Sequence, residues 1–211
     1  MNRTENANGL FRLGVLVSGS GSNLQSIIDS LHGGGSGIEV ALVISDNPRA
    51  YGLKRATGAG IPTAVFPLGD FADRTAHDLA MADELDRHGV DLVVLAGYML
   101  LVTPAFLKRF PRRAINLHPS LLPAFPGDTP IEDTMDYGAR VTGVTVHFVD
   151  EGTDTGPIIL QEAVEIKYND TVDSLRERIH TVEHRLLPRA IQLIAGGRLR
   201  FDEDNPRRVL A

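Results

Sequence analysis

Cysteine is absent from the 211 residues of this sequence. Its absence excludes disulfides, thiolate metal sites and a cysteine nucleophile, and it fits a reducing compartment. No apolar run approaches the ~18 residues of a membrane-spanning helix, and residues 1–10 lack the charged and apolar pattern of a signal peptide. We therefore expect a soluble, cytoplasmic protein that does not bind a membrane.

The sequence also lacks a surplus of basic residues. Its 21 Lys and Arg against 27 Asp and Glu give a net charge of −6 and a pI near 5.6, which argues against a nucleic-acid partner. A chain of this length buries roughly 70–75% of its unfolded surface. We expect a single domain over residues 1–211, with flexible tails at 1–10 and 202–211.

Short apolar runs occur along the first half of the chain at 11–18, 38–44, 63–66, 90–96 and 114–117. Between most of them lie segments whose composition or apolar spacing is typical of helices. Such runs are typical of parallel strands that are buried on both faces. Beyond a Pro/Gly loop at 124–130, two further strands are expected at 143–149 and 158–166, followed by a long helix from residue 172. The pattern predicts an α/β fold, Rossmann-like, with a mostly parallel central sheet flanked by helices and an antiparallel C-terminal extension.

The first candidate site is the glycine-rich turn SGSGSN at 18–23, between a strand and a helix. Backbone N–H groups at a helix N-terminus favour a phosphate, and glycines allow its close approach. The alternative is a tight turn in which Ser22 or Asn23 caps the helix. Asp46 after the second strand would suit a nicotinamide dinucleotide, but Leu24 stands where the third glycine of that motif would be.

The second candidate site is Asn116-x-His118, where a predicted strand meets Pro119. At period two, both side chains project to the same face. Asp154 lies in a loop after another strand, and a carboxylate there can orient an imidazole and favour its charged form. An amide, an imidazole and a carboxylate suit acyl transfer to an amine. No Gly-x-Ser-x-Gly motif supplies a serine nucleophile.

Four segments resemble the phosphoribosylglycinamide formyltransferases of purine biosynthesis, within the formyltransferase superfamily. They are SGSGSNLQ at 18–25, LAGYM at 95–99, INLHPSLLPAFPG at 115–127 and TGVTVHFVDEGTDTGPIILQ at 142–161. The resemblance implies transfer of a formyl group from 10-formyltetrahydrofolate, as co-substrate, to the amine of glycinamide ribonucleotide. It implies small-molecule substrates and no metal, and we expect a monomer or a homodimer.

The resemblance also implies roles for individual residues. Gly21, Ser22 and Asn23 would bind the substrate phosphate, and Glu183 would bind the ribose hydroxyls. The catalytic group would be Asn116, His118 and Asp154. The residues expected to contact the folate are Arg74, Met99, Leu100, Leu101, Val102, Asn116, Asp150, Glu151, Gly152, Thr153 and Asp154.

Each of these assignments has a simpler alternative. Glu183 could be a solvated helix carboxylate, and Arg74 the start of a surface helix. His147 lies within a predicted strand, and we expect it to be structural. Two departures from the family pattern concern the folate tail and the loop beside the catalytic group. Leu100 stands where relatives often have Arg, and residues 128–132 replace a loop that commonly carries His.

Competing functions also stay open. The Pro–Ile pair in the 128–132 loop is similar to that of methionyl-tRNA formyltransferases. A formyltetrahydrofolate hydrolase could use the same catalytic group with water as the acceptor, and a nicotinamide-dependent dehydrogenase is a more remote possibility.

Overall fold

The structure is a computed structural model, and it describes residues 9–210. The chain divides into two compact units, Met1–Ile115 and Asn116–Ala211. The single domain expected over residues 1–211 stays a prediction. Of the N-terminal tail predicted at residues 1–10, only Gly9 and Leu10 are among the described residues.

The N-terminal unit alternates strands with helices. Strand β1 pairs in parallel with β2 and β4, and β2 pairs in parallel with β3. The strands are β1 Phe11–Val17, β2 Ile38–Ser45, β3 Thr63–Val65 and β4 Leu92–Leu95. The helices are α1 Ser22–Leu31, α2 Tyr51–Gly58, α3 Arg74–Arg87 and α4 Pro104–Arg109.

The apolar runs of this unit are buried because helices cover the sheet. Every residue from Leu13 to Val17 is buried on β1, and so is every residue of β4. Gly14 leaves room for the Leu85 side chain of α3, which a Cβ at this position would displace. Parallel strands that are covered in this way explain why their sequences are continuously apolar rather than alternating.

The C-terminal unit contains most of β5 and the elements that follow it. Strands β6 and β7 pair antiparallel, with a register shift between Val146 and His147. The elements are β5 Ala114–His118, α5 Pro130–Asp136, β6 Val141–Phe148, β7 Ile158–Glu165, α6 Val172–Ala195, β8 Arg200–Phe201 and β9 Val209–Leu210. Helix α6 begins with a capping box between Thr171 and Ser174.

The predicted fold class is confirmed. Strands β1 to β7 form a mostly parallel seven-stranded sheet in the order β3-β2-β1-β4-β5-β6-β7, and β8 and β9 form a separate antiparallel pair. No helix within residues 9–210 is long and apolar enough to cross a membrane.

One helix differs from the sequence prediction. Helix α5 lies where no helix is expected; it begins with Pro130 and carries Glu132 and Asp133 in its first turn, and both features favour a helix N-terminus. Helix α6 runs from Val172 to Ala195 and includes Pro188. Residues 202–210 contain a turn and end in β9, and the flexibility of this tail stays a prediction.

Candidate active site

Strand β5 carries two polar side chains to the point where its ladder ends. Asn116 and His118 lie two positions apart and share one face of the strand. Pro119 follows and has no N–H to continue the pairing. His118 is buried, whereas Asn116 is partly exposed. An amide donor and an imidazole therefore lie side by side at the strand end.

Asp154 contacts both of these side chains. Its Oδ2 lies 3.3 Å from His118 Nδ1, and its Oδ1 accepts a hydrogen bond of 3.3 Å from Asn116 Nδ2. The backbone N–H of Gly127 donates to Oδ2 at 2.9 Å. The structure thus brings together the three side chains that the sequence predicted to be the catalytic group.

The loop between β6 and β7 positions Asp154 through its own hydrogen bonds. The Oδ1 atom of Asp150 accepts from the Gly152 N–H at 3.1 Å and from the Thr155 hydroxyl at 2.6 Å. Asp154 has a left-handed backbone, with φ of 54°, which Asp adopts more readily than most residues. Asp150 is thus bound within the loop. The neighbouring predicted folate residues Glu151, Gly152 and Thr153 are exposed.

His147 on β6 completes the cluster, although only a structural role is expected for it from the sequence. Its Nε2 lies 3.6 Å from Asp154 Oδ1 and 3.5 Å from Asn116 Nδ2, and its Nδ1 lies 2.8 Å from the Phe148 carbonyl oxygen. The only signal in the sequence was a histidine within an apolar strand, since a buried imidazole needs hydrogen-bond partners.

Phe125 supplies a backbone acceptor that the sequence did not indicate. Its carbonyl oxygen lies 2.8 Å from His118 Nε2, and its own backbone is left-handed, with φ of 52°. Both ring nitrogens of His118 therefore face oxygen atoms, those of Phe125 and Asp154. Asn116, in contrast, is partly exposed and donates one amide N–H to Asp154.

Asp154 stays ionised far below neutral pH. Burial alone would raise its pKa, but hydrogen bonds from His147 and from the Gly127 N–H, with the attraction of His118 and His147, outweigh burial and lower the pKa to about 2. The carboxylate can therefore orient and stabilise positively charged groups at neutral pH. It holds a proton only weakly.

The glycine-rich turn forms the N-terminus of α1, as predicted. Gly21 is the N-cap residue, with a left-handed φ of 69°, and no side chain caps this helix within the described part of the chain. The alternative in which Ser22 or Asn23 is the N-cap residue is therefore wrong. Ser22 and Asn23 open the first turn, where backbone N–H groups favour an anion.

Helix α2 packs closely against this turn. A Cβ on Gly21 would lie 2.6 Å from Gly52 Cα, so only glycine allows this approach. The N–H of Gly52 donates to the Gly19 carbonyl at 3.1 Å, and Arg55 Nε donates to the Ser20 carbonyl at 2.9 Å. The backbone of the turn is thus fixed from one side.

Glu183 lies on α6 and is 5% exposed. Its Oε2 atom is 3.9 Å from His180 Nε2. A carboxylate buried to this degree is uncommon without partners, so the alternative of a solvated surface carboxylate is wrong.

The predicted folate residues Met99 to Val102 lie between β4 and α4. Met99 and Leu101 expose 72% and 70% of their surface, which gives the loop an apolar surface of the kind that ring ligands contact. Arg74 of α3 donates a hydrogen bond to the Leu101 carbonyl. The predicted contact between Arg74 and the folate tail stays a prediction.

A family model described as "Formyl transferase" matches residues 11–191. The chain belongs to the formyl transferase family. The predicted family is therefore confirmed. The matched region of this formyl transferase includes Asn116, His118, Asp154 and Glu183. The dehydrogenase alternative has no support from Asp46, whose carboxylate accepts a hydrogen bond of 2.7 Å from the Ser18 hydroxyl.

Similar curated proteins fall into two groups. The phosphoribosylglycinamide formyltransferase of Bacillus subtilis is 40% identical, over 88% of this formyl transferase and 95% of its own length. That of Haemophilus influenzae is 42% identical, over 92% and 91%. The trifunctional purine biosynthetic protein adenosine-3 of Chironomus tentans is 46% identical over 91% of this chain. The chain spans only 14% of that longer protein.

Solved structures with the same fold include glycinamide ribonucleotide transformylase 1 of Symbiobacterium toebii. It superposes with a TM-score of 0.91 and 49% identity, covering 99% of this chain and 97% of its own. Phosphoribosylglycinamide formyltransferase of Bacillus halodurans gives a TM-score of 0.84 and 44% identity, covering 87% and 94%.

Proposed function

We propose that this protein transfers the formyl group of 10-formyltetrahydrofolate to the amine of phosphoribosylglycinamide, in purine biosynthesis. The observation that carries the proposal is the cluster of Asn116, His118 and Asp154, which joins an amide donor, an imidazole and a low-pKa carboxylate. This combination suits direct transfer between two substrates. The names and the 40–42% identity of the bacterial relatives support the same reaction.

In the proposed mechanism the substrate amine attacks the formyl carbon, and the bond from that carbon to the folate nitrogen breaks. Asn116 donates its amide N–H to the formyl oxygen as that oxygen becomes negative. His118, whose Nδ1 lies 3.3 Å from Asp154 Oδ2, would help to stabilise the same oxygen. The carboxylate of Asp154 stabilises the positive charge on the attacking nitrogen. It also assists passage of the proton to the folate nitrogen, directly or through water.

The binding residues extend the proposal to both substrates. Gly21, Ser22 and Asn23 would bind the phosphate at the N-terminus of α1, where Gly21 permits close approach. Glu183 would bind the ribose hydroxyls. The folate would contact Asn116 and the residues Arg74, Met99, Leu100, Leu101, Val102, Asp150, Glu151, Gly152, Thr153 and Asp154.

A cytoplasmic location and a monomeric or homodimeric state stay predictions of the sequence, as does the absence of a metal. Within residues 9–210, no group of three His, Asp or Glu side chains is arranged to hold a metal ion. The mechanism above uses only groups of the protein and of its two substrates.

An absorbance assay with 10-formyltetrahydrofolate and phosphoribosylglycinamide tests the proposal, with each substrate omitted in turn. We expect deformylation of the folate only when both are present, with the formyl group recovered on the amine. Glycinamide without its ribose phosphate is the matched control and should react far more slowly, because it cannot use the turn at Gly21.

Two outcomes would contradict the proposed function. Deformylation without the amine would identify a formyltetrahydrofolate hydrolase, for which the catalytic cluster is also suited. Equal rates with glycinamide and with its ribonucleotide would remove the phosphate-binding role of Gly21, Ser22 and Asn23.

A further inference from the structure

Residues 97–103, between β4 and α4, form a loop whose side chains and backbone have different surroundings. We call this segment the 97–103 loop. At its start, the buried Tyr98 anchors the loop, and its hydroxyl donates to Met81 Sδ at 3.5 Å. Beyond it, Met99 and Leu101 are 72% and 70% exposed, so their side chains do little to hold the loop in place. The stretch after Tyr98 is therefore fixed mainly through its backbone, by groups from elsewhere in the N-terminal unit.

One end of the 97–103 loop is fixed by Ser18. The Met99 N–H donates to Ser18 Oγ at 3.0 Å, and the Ser18 N–H donates to the Gly97 carbonyl at 3.0 Å. Ser18 in turn donates its hydroxyl proton to Asp46 Oδ1 at 2.7 Å. These bonds hold the start of the loop at the end of β1.

The other end is fixed by Asp78 of α3. Asp78 Oδ2 accepts a hydrogen bond of 2.6 Å from the Thr103 N–H. Its Oδ1 lies 3.3 Å from Arg74 Nη2, and Arg74 donates to the carbonyl of Leu101. One carboxylate therefore contacts the loop directly through Thr103 and indirectly through Arg74.

Asp78 is fully buried, which makes its contacts informative. Burying a carboxylate costs several kcal/mol unless partners compensate. His77, also fully buried, provides one partner, with its Nδ1 2.9 Å from Asp78 Oδ1 and its Nε2 2.9 Å from the Phe66 carbonyl oxygen. The N-cap of α3 is supplied by Asp73, which accepts from the Ala76 N–H. Asp78 is therefore not needed to begin its own helix.

We propose that Asp78 is a positioning residue that fixes the 97–103 loop for folate binding. It acts through the Thr103 N–H and through Arg74, which binds the Leu101 carbonyl. The proposal rests on the proposed function, because that function assigns Met99 to Val102 to the folate.

The test is the isosteric substitution Asp78→Asn. We expect the KM for 10-formyltetrahydrofolate to rise by about tenfold, since a charged hydrogen-bond partner is lost, while the KM for phosphoribosylglycinamide stays within about twofold. Asp83→Asn on the same helix is the matched control. Asp83 is 61% exposed and pairs with Arg109, so neither KM should change.

A second variant, Thr103→Pro, tests the same contact from the loop side. It removes the N–H that Asp78 accepts, and the Thr103 φ of −76° and ψ of 160° suit proline at that position and before Pro104. It leaves the buried charges of α3 unchanged. It therefore keeps the proposal testable if Asp78→Asn fails to fold.

Binding of tetrahydrofolate to the wild type separates the two proposals. If the wild type binds no reduced folate, the proposed function fails. If the wild type binds folate and folded Asp78→Asn and Thr103→Pro bind it equally well, the positioning role fails. An equal rise in both KM values would also overturn it, because it would indicate a general loss of stability.

Discussion

The cluster around Asp154 and the 97–103 loop are stabilised in opposite ways. In the cluster, side chains contact one another, as when His118 and Asn116 both meet the same carboxylate. In the loop, Met99 and Leu101 face outward after the buried Tyr98, and side chains of other segments, among them the buried Asp78, bind the backbone. In the cluster, replacing any residue changes the side-chain contacts themselves. In the loop, the residues that matter most are those of other segments whose side chains bind the loop backbone.

This difference separates two kinds of substitution. A change within the cluster removes a group that we propose to act on the reacting atoms, so it should lower turnover. A change in a residue that fixes the loop shifts a binding surface, so it should raise the KM of one substrate.

The largest expected effect is that of Asn116→Ala. In the proposed mechanism its amide donates to the formyl oxygen, and loss of one such donor costs about 10²–10³ in kcat. The measurement is steady-state turnover with both substrates saturating. Asn169→Ala is the control, since Asn169 is exposed before α6. A folded Asn116→Ala enzyme with near-normal kcat would remove Asn116 from the catalytic group.

Asp154→Asn should change how stability depends on acid. The folded-state pKa of Asp154 is about 2, below its value of about 3.9 in an unfolded chain. Its ionised form therefore stabilises the fold above that unfolded value by about 2 kcal/mol, and this contribution disappears as pH falls through the folded pKa. Urea unfolding of wild type and variant should differ most at pH 7 and converge between about pH 4 and 2.

The exposed Asp173, paired with Arg176 at the start of α6, provides the control for this experiment. Asp173→Asn should follow the wild-type curve closely, because exposed ion pairs contribute little. If the difference in free energy of unfolding between wild type and Asp154→Asn stayed constant from pH 7 to pH 2, Asp154 would not stabilise the fold through its charge.

The sequence predicted the parts of the molecule that carry a local signal. Continuous apolar runs indicated β1 and β4, and helical spacing indicated α6. The pair Asn116-x-His118 was recognisable because a strand, a proline and two polar residues occur together within four positions. The link to Asp154, 38 positions after Asn116, depended on the resemblance to a family as well as on topology.

The missing parts depend on tertiary contacts that no local pattern encodes. His147 joins the cluster only through its place in β6, and the Phe125 carbonyl and Gly127 N–H are backbone groups that any residue could supply. Asp78 lies in a helix of highly charged sequence, so its complete burial had no sequence signal. Each of these groups has its role because of contacts with residues that are distant in the sequence.

The smallest expected effect concerns Arg74, for which two roles compete. The sequence predicted contact with the folate tail, whereas the structure has its guanidinium bound to the Leu101 carbonyl and 3.3 Å from Asp78. Arg74→Met keeps a long, helix-compatible side chain and removes the charge. We expect the KM for the folate donor to rise by about fivefold, equivalent to about 1 kcal/mol for one hydrogen bond.

The two roles differ in how this loss depends on the donor. If Arg74 fixes the loop, the fivefold rise should be the same with 10-formyltetrahydropteroate, which lacks the glutamate tail. If Arg74 binds the tail, the rise should vanish with that donor. Arg87→Met on the same helix is the control, because Arg87 is 68% exposed and pairs only with Glu84 among the ion pairs of the described residues. A loss that vanished without the tail would leave Asp78 to fix the 97–103 loop through Thr103 alone.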